Sequence, residues 1–122
     1  MSSAKSQQPR QRPLDVVLFG ATGFTGQLVA EYFAANVPLA QVRWTIAGRN
    51  GRKLQALRDR LSTIDAACQD IEPIVAGSDD RGALNDMAQK TRVVLTTVGP
   101  YAALGEPLVA ACVEHGTDYV DI

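Results

Sequence analysis

Two rhythms of apolar residues take turns along this chain. Short continuous apolar runs such as Val16-Val17-Leu18-Phe19 and Val93-Val94-Leu95 alternate with stretches in which apolar residues return every three or four positions. The first rhythm predicts buried strands and the second predicts helices that turn one face to a core. Strands are expected at Asp15–Phe19, Val42–Ala47, Glu72–Ala76, Arg92–Val98 and Asp118–Ile122. Helices are expected at Thr25–Asn36, Arg52–Ser62, Arg81–Lys90 and from Leu104 or Gly105 to His115. Leu28, Val29, Tyr32 and Phe33 form the predicted inward stripe of the first helix. Leu54, Leu57 and Leu61 do so in the second, and Leu84 and Met87 in the third. Pro38 stops the first helix, Asp79 or Asp80 caps the third, and Gly116 suits a left-handed cap after the fourth.

Strand and helix alternating throughout, joined by right-handed crossovers, give an α/β protein with a doubly wound parallel sheet. The expected strand order is 3-2-1-4-5, which puts the strand carrying Pro73 on an edge, where a missing N–H is tolerated. This is a Rossmann sheet, and its ligand crevice lies where the winding reverses, at the carboxyl ends of the first and fourth strands.

The stretch Gly20-Ala21-Thr22-Gly23-Phe24-Thr25-Gly26 falls at that reversal, between a strand and a helix. Gly20 allows a tight turn, Gly23 allows backbone to approach a pyrophosphate, and Gly26 allows the helix to pack closely. Amides at the helix start, with the dipole behind them, attract phosphate. Thr22 and Thr25 add hydroxyls, and Phe24 is either an apolar cover or a packing residue. The context of strand, turn and helix is what a dinucleotide site requires.

The end of the second strand selects the cofactor. An Asp or Glu there would accept bonds from ribose hydroxyls, as NAD sites require. Gly48-Arg49-Asn50 stands there instead, with Arg52 and Lys53 following. A carboxylate would repel a 2′-phosphate, whereas a guanidinium can hold it in a fork. NADP(H) is therefore expected over NAD(H). Ser78 and Asp79, after the third strand, either flank the adenine or cap the next helix. Val98, Gly99, Pro100 and Tyr101 lie where the inner ribose and nicotinamide would pass, Tyr101 as a stacking surface or a loop aromatic.

Composition narrows the classes further. A net charge of −1 gives no basic field for nucleic acid or an anionic membrane, and no apolar run is long enough to span a bilayer. No secretory signal is visible, so a cytoplasmic setting is expected. Cys68 and Cys112 are too few for a disulfide framework and lack metal-ligand spacing, so they are read as reduced thiols. Residues Met1–Pro13 are polar, and disorder is expected there, with the folded domain running from 14 to 122. His115 sits at a helix C-terminus, where a structural or surface role is expected rather than proton transfer. Asp121 ends the fifth strand on the crevice side. No Tyr-x-x-x-Lys pair is present.

Four blocks, Val17–Gly26, Ala47-Gly48-Arg49, Thr97–Tyr101 and Gly116–Asp121, together resemble the N-terminal NAD(P)-binding domain of saccharopine dehydrogenase-like oxidoreductases, including the mycobacterial trans-acting enoyl reductases. The resemblance implies hydride transfer between nicotinamide and an organic, small-molecule or lipid-like substrate. It also implies a large C-terminal domain with substrate and homodimer contacts. Because this chain ends at the fifth strand, the expected sheet is incomplete at its C-terminus. A non-catalytic NADP(H) sensor with a similar Gly-Ala-Thr-Gly turn is the alternative.

Overall fold

The structure, a computed structural model, describes residues 12–98 and 102–121. Five strands lie parallel in the order β3-β2-β1-β4-β5. They are β1 (Leu14–Phe19), β2 (Trp44–Gly48), β3 (Ile74–Val75), β4 (Thr91–Thr96) and β5 (Asp118–Asp121). The helices are α1 (Phe24–Asn36), α2 (Gly51–Leu61), α3 (Arg81–Lys90) and α4 (Ala102–His115), with a 3-10 turn at Ala66–Asp70. This is the doubly wound Rossmann order that the alternation implies. β3 shrinks to two residues because Pro73, just before it, has no N–H to pair. Pro107 lies inside α4, which begins two or three residues earlier than expected.

Each face of the sheet carries its own core. Leu18, Trp44 and Ile46 pack with Leu54, Leu57 and Leu61 on the side of α1 and α2. Val17, Phe19 and Val94 pack with Leu84, Met87, Leu108 and Cys112 on the side of α3 and α4. The inward residues of α2 and α3 are those expected. Those of α1 are so only in part: Val29 and Phe33 pack against the core, Gly26, Ala30 and Ala34 are buried, and Leu28 and Tyr32 are 53% and 63% exposed. Small residues spaced by four let this helix sit close on the sheet, and the larger side chains are displaced to its flanks. On the same side of the sheet, Leu95 of β4 is only partly buried and its register partner Val120 is 46% exposed. Coverage of β4 is therefore uneven, contrary to the expectation of burial on both faces. Val113 on α4 is also exposed.

Arg12, assigned by composition to the polar tail, is instead half-buried and bonded. Its guanidinium donates to the carbonyls of Ala88, Thr91 and His115 and to Thr117 Oγ1. Ala88 and His115 lie at the C-terminal ends of α3 and α4, so one cation meets two negative dipole ends. Hydrogen bonds from a charged donor contribute about 1.5–3 kcal/mol each, though not additively. Arg12→Met is expected to destabilise the domain by about 3 kcal/mol in all. That should lower the melting temperature by roughly 10 °C, read by thermal denaturation. A shift under about 2 °C would mean that water replaces these contacts at no cost.

Candidate functional site

Gly20 leaves β1 with φ of 82°, a left-handed conformation that favours glycine. Its N–H and that of Ala21 both donate to Ala47 O, at 2.9 and 3.1 Å. Gly23 N–H then donates back to Gly20 O at 3.2 Å, closing the turn. Gly26 sits directly beneath: a Cβ there would lie 2.0 Å from Gly20 O and under 3 Å from two Ala21 backbone atoms. From the neighbouring strand, Thr97 Oγ1 donates to Gly20 O at 3.1 Å, and Thr97 N–H donates to Phe19 O. The turn is thus held against the ends of β1, β2 and β4.

A cleft of about 470 Å³ opens above it. Among the residues proposed from sequence, Gly20, Thr22, Gly23, Arg49, Ser78, Asp79 and Val98 line this cleft. Phe19, Gly48 and Thr97, quoted from sequence only as parts of motifs, also line it, as do Ala76 and Pro107, which sequence reasoning did not single out. Phe24 and Thr25 are exposed at the start of α1, Phe24 at 84% and outside both core clusters of this chain. Ala21 and Gly26 are buried and support the turn from below. Asn50 caps α2, accepting from Lys53 N–H at 3.0 Å. Asp80, not Asp79, caps α3 by accepting from Ala83 N–H, which leaves Asp79 exposed at the cleft. Gly99, Pro100 and Tyr101 lie outside the described residues.

The N-terminus of α1 differs from its neighbours. Its N-cap is Gly23, which offers no side-chain bond; like α2 and α3, it carries no acidic residue in its first turn. α2 and α3 are each capped by a side chain. The first amides of any helix lack intrahelical acceptors. At α1 they face no competing side-chain oxygen from the cap, which suits an external anion.

Comparison with known proteins agrees with this geometry. The model of the saccharopine dehydrogenase NADP binding domain matches residues 16–122. The chain belongs to this family. It is 42% identical over 112 residues to a trans-acting enoyl reductase of Mycobacterium ulcerans, covering 92% of this chain and 26% of that protein. It is 37% identical over 119 residues to a saccharopine dehydrogenase-like oxidoreductase of Mus musculus, covering 92% and 28%. An apo saccharopine dehydrogenase (L-Glu forming) from Saccharomyces cerevisiae shares the fold, with a TM-score of 0.68 at 24% identity, covering 88% of this chain and 21% of that one. The chain therefore spans about a quarter of the length of these relatives.

The family's NADP fits the residues present. A turn cleared of side chains, an uncapped helix start and a guanidinium at the end of β2 meet the pyrophosphate and 2′-phosphate requirements. The other reactive groups are placed elsewhere. Burial pushes the Cys112 thiol up to about 11, so it is protonated and inert near neutral pH. Cys68 is raised too, by burial and then by Asp65. His115 Nε2 donates to Asn85 Oδ1 at 3.0 Å, between α4 and α3, which is the structural role expected. Among the described residues no cluster could hold a metal ion, and no helix is long and apolar enough to cross a membrane. A hollow of about 610 Å³ lies at the opposite end of the strands, near Leu14, Trp44 and Ile74, away from the glycine turn.

Proposed function

We propose that this chain binds NADP(H) across the carboxyl ends of β1 and β4 and presents its nicotinamide for hydride transfer with an organic substrate. The uncapped N-terminus of α1, set over the turn from Gly20 to Gly26, is the observation that carries this reading. Gly20, Thr22, Gly23 and the first amides of α1 receive the pyrophosphate. Arg49 takes the 2′-phosphate, and Lys53, which lines a small hollow with Thr22 and Arg60, adds positive field. Ser78 and Asp79 flank the adenine. Val98 borders the inner ribose, and the sequence alone assigns Gly99, Pro100 and Tyr101 to the nicotinamide side.

When bound, the nicotinamide supplies the hydride chemistry; this chain's residues bind, orient and select it. The substrate and any dimer contacts belong to the whole protein, and the name of the mycobacterial relatives, trans-acting enoyl reductase, supports an enoyl group as the hydride acceptor. Calorimetric titration tests the reading. NADPH is expected to bind at least tenfold more tightly than NADH. Equal affinities would remove the phosphate-selecting role, and no heat from either nucleotide would remove the site itself.

A further inference from the structure

We propose that Gln27 is the positioning residue of the nucleotide site, locking the glycine-rich turn to α2 before any ligand arrives. The inference rests on the NADP(H) reading above. Gln27 lies one residue beyond the turn, on α1, and its amide bridges two elements. Nε2 donates to Thr22 O at 2.9 Å, and Oε1 accepts from Arg60 Nη2 at 2.9 Å. The same Arg60 nitrogen donates to Glu31 Oε2 at 2.9 Å. Arg60 thereby fixes which way the amide faces. Rotating it end for end would set donor against donor at Arg60 and oxygen against oxygen at Thr22.

The bond to Thr22 O matters because of what lies across the same peptide. The plane that carries Thr22 C=O also carries Gly23 N–H, which donates to Gly20 O at 3.2 Å. Both edges of that plane are therefore held. Gly23 is the N-cap of α1 and has no side chain of its own to restrain it. Freeing one glycine's backbone and then re-ordering it on binding costs about 1–2 kcal/mol, which corresponds to roughly tenfold in affinity. The Arg60–Glu31 pair is exposed, and such pairs add little to folding stability. Loss of the clamp should therefore move affinity more than it moves melting.

The test uses the chain as it stands, titrated with NADPH and NADH, with amide hydrogen exchange of residues 20–26 followed without nucleotide. Gln27→Met keeps the volume and removes both bonds. It should weaken the two nucleotides alike, by about tenfold, because both carry the pyrophosphate. Exchange in the turn should quicken while melting shifts by under about 2 °C. Gln27→Glu keeps the Arg60 contact but sets a carboxylate oxygen against Thr22 O, and should bind no better than the Met variant. Undiminished binding in Gln27→Met overturns the inference alone. So does weakening that tracks an equally large melting loss with unchanged exchange in the turn. Failure of the unaltered chain to bind NADPH overturns the nucleotide reading and this inference with it.

Discussion

Gly26→Ala is expected to abolish the fold around the turn, whereas Gly23→Ala should leave the fold intact and damage binding. The added methyl at position 26 would meet Gly20 O at 2.0 Å, and also the Ala21 backbone. None of these atoms belongs to a flexible side chain, so main chain would have to move by more than an ångström. Overpacking a tight core costs about 1–3 kcal/mol even where side chains can yield. A backbone collision belongs above about 4 kcal/mol, a large share of the 5–15 kcal/mol that holds a domain together. At position 23 the nearest atom is Gly20 O at 3.5 Å, an ordinary contact. Gly23→Ala should therefore melt within about 1 kcal/mol of the unaltered chain while its methyl stands where a phosphate would approach, weakening NADPH and NADH alike. Circular dichroism melts and calorimetry separate the two. Wild-type stability in Gly26→Ala would mean that α1 can lift off the turn without penalty.

The second large effect is selective. Arg49→Ala should weaken NADPH by about ten- to a hundredfold and leave NADH nearly unchanged. Arg49 is exposed, lines the cleft, and follows Gly48 at the end of β2. Only NADPH carries the 2′-phosphate that a guanidinium fork would hold. The preference should also shrink as salt rises, since an exposed pair is screened over about 10 Å at 0.1 M. Equal weakening of both nucleotides would assign Arg49 to the adenosine or to the loop. NADH binding more tightly than NADPH in the unaltered chain would end the proposal.

The strand order was legible because two independent signals agree. Alternation gave the winding, and Pro73 placed the third strand at an edge, where β3 lies. The tight turn at Gly20 and the place of Arg49 beside the cleft were legible because both follow from the local sequence. The seat of α1 was misread for an instructive reason. Periodicity follows large apolar residues, and Leu28 and Tyr32 have the right spacing, but the sheet accepts the row Gly26, Ala30 and Ala34 because only small residues permit that separation. The bonds of Thr97 and Arg12 could not be found from sequence. Their acceptors lie 77 residues away for Gly20 and 76 to 105 away for those of Arg12, and no local pattern marks such a partnership.

The central position of β1 also fixes when the nucleotide site comes into being. Leu14 to Phe19 is made before β2 to β5, yet one of its two neighbours, β4, begins only at Thr91. Thr97, which secures Gly20 O, comes later still. A chain emerging residue by residue would finish the glycine turn early and keep it open until β4 slots in beside β1. Ligand therefore has nothing complete to bind in a partly folded chain, and its mass-action stabilisation falls on the fully assembled sheet alone. Nucleotide would thus slow unfolding and spare the assembled chain from proteolysis without hastening the earliest steps of assembly.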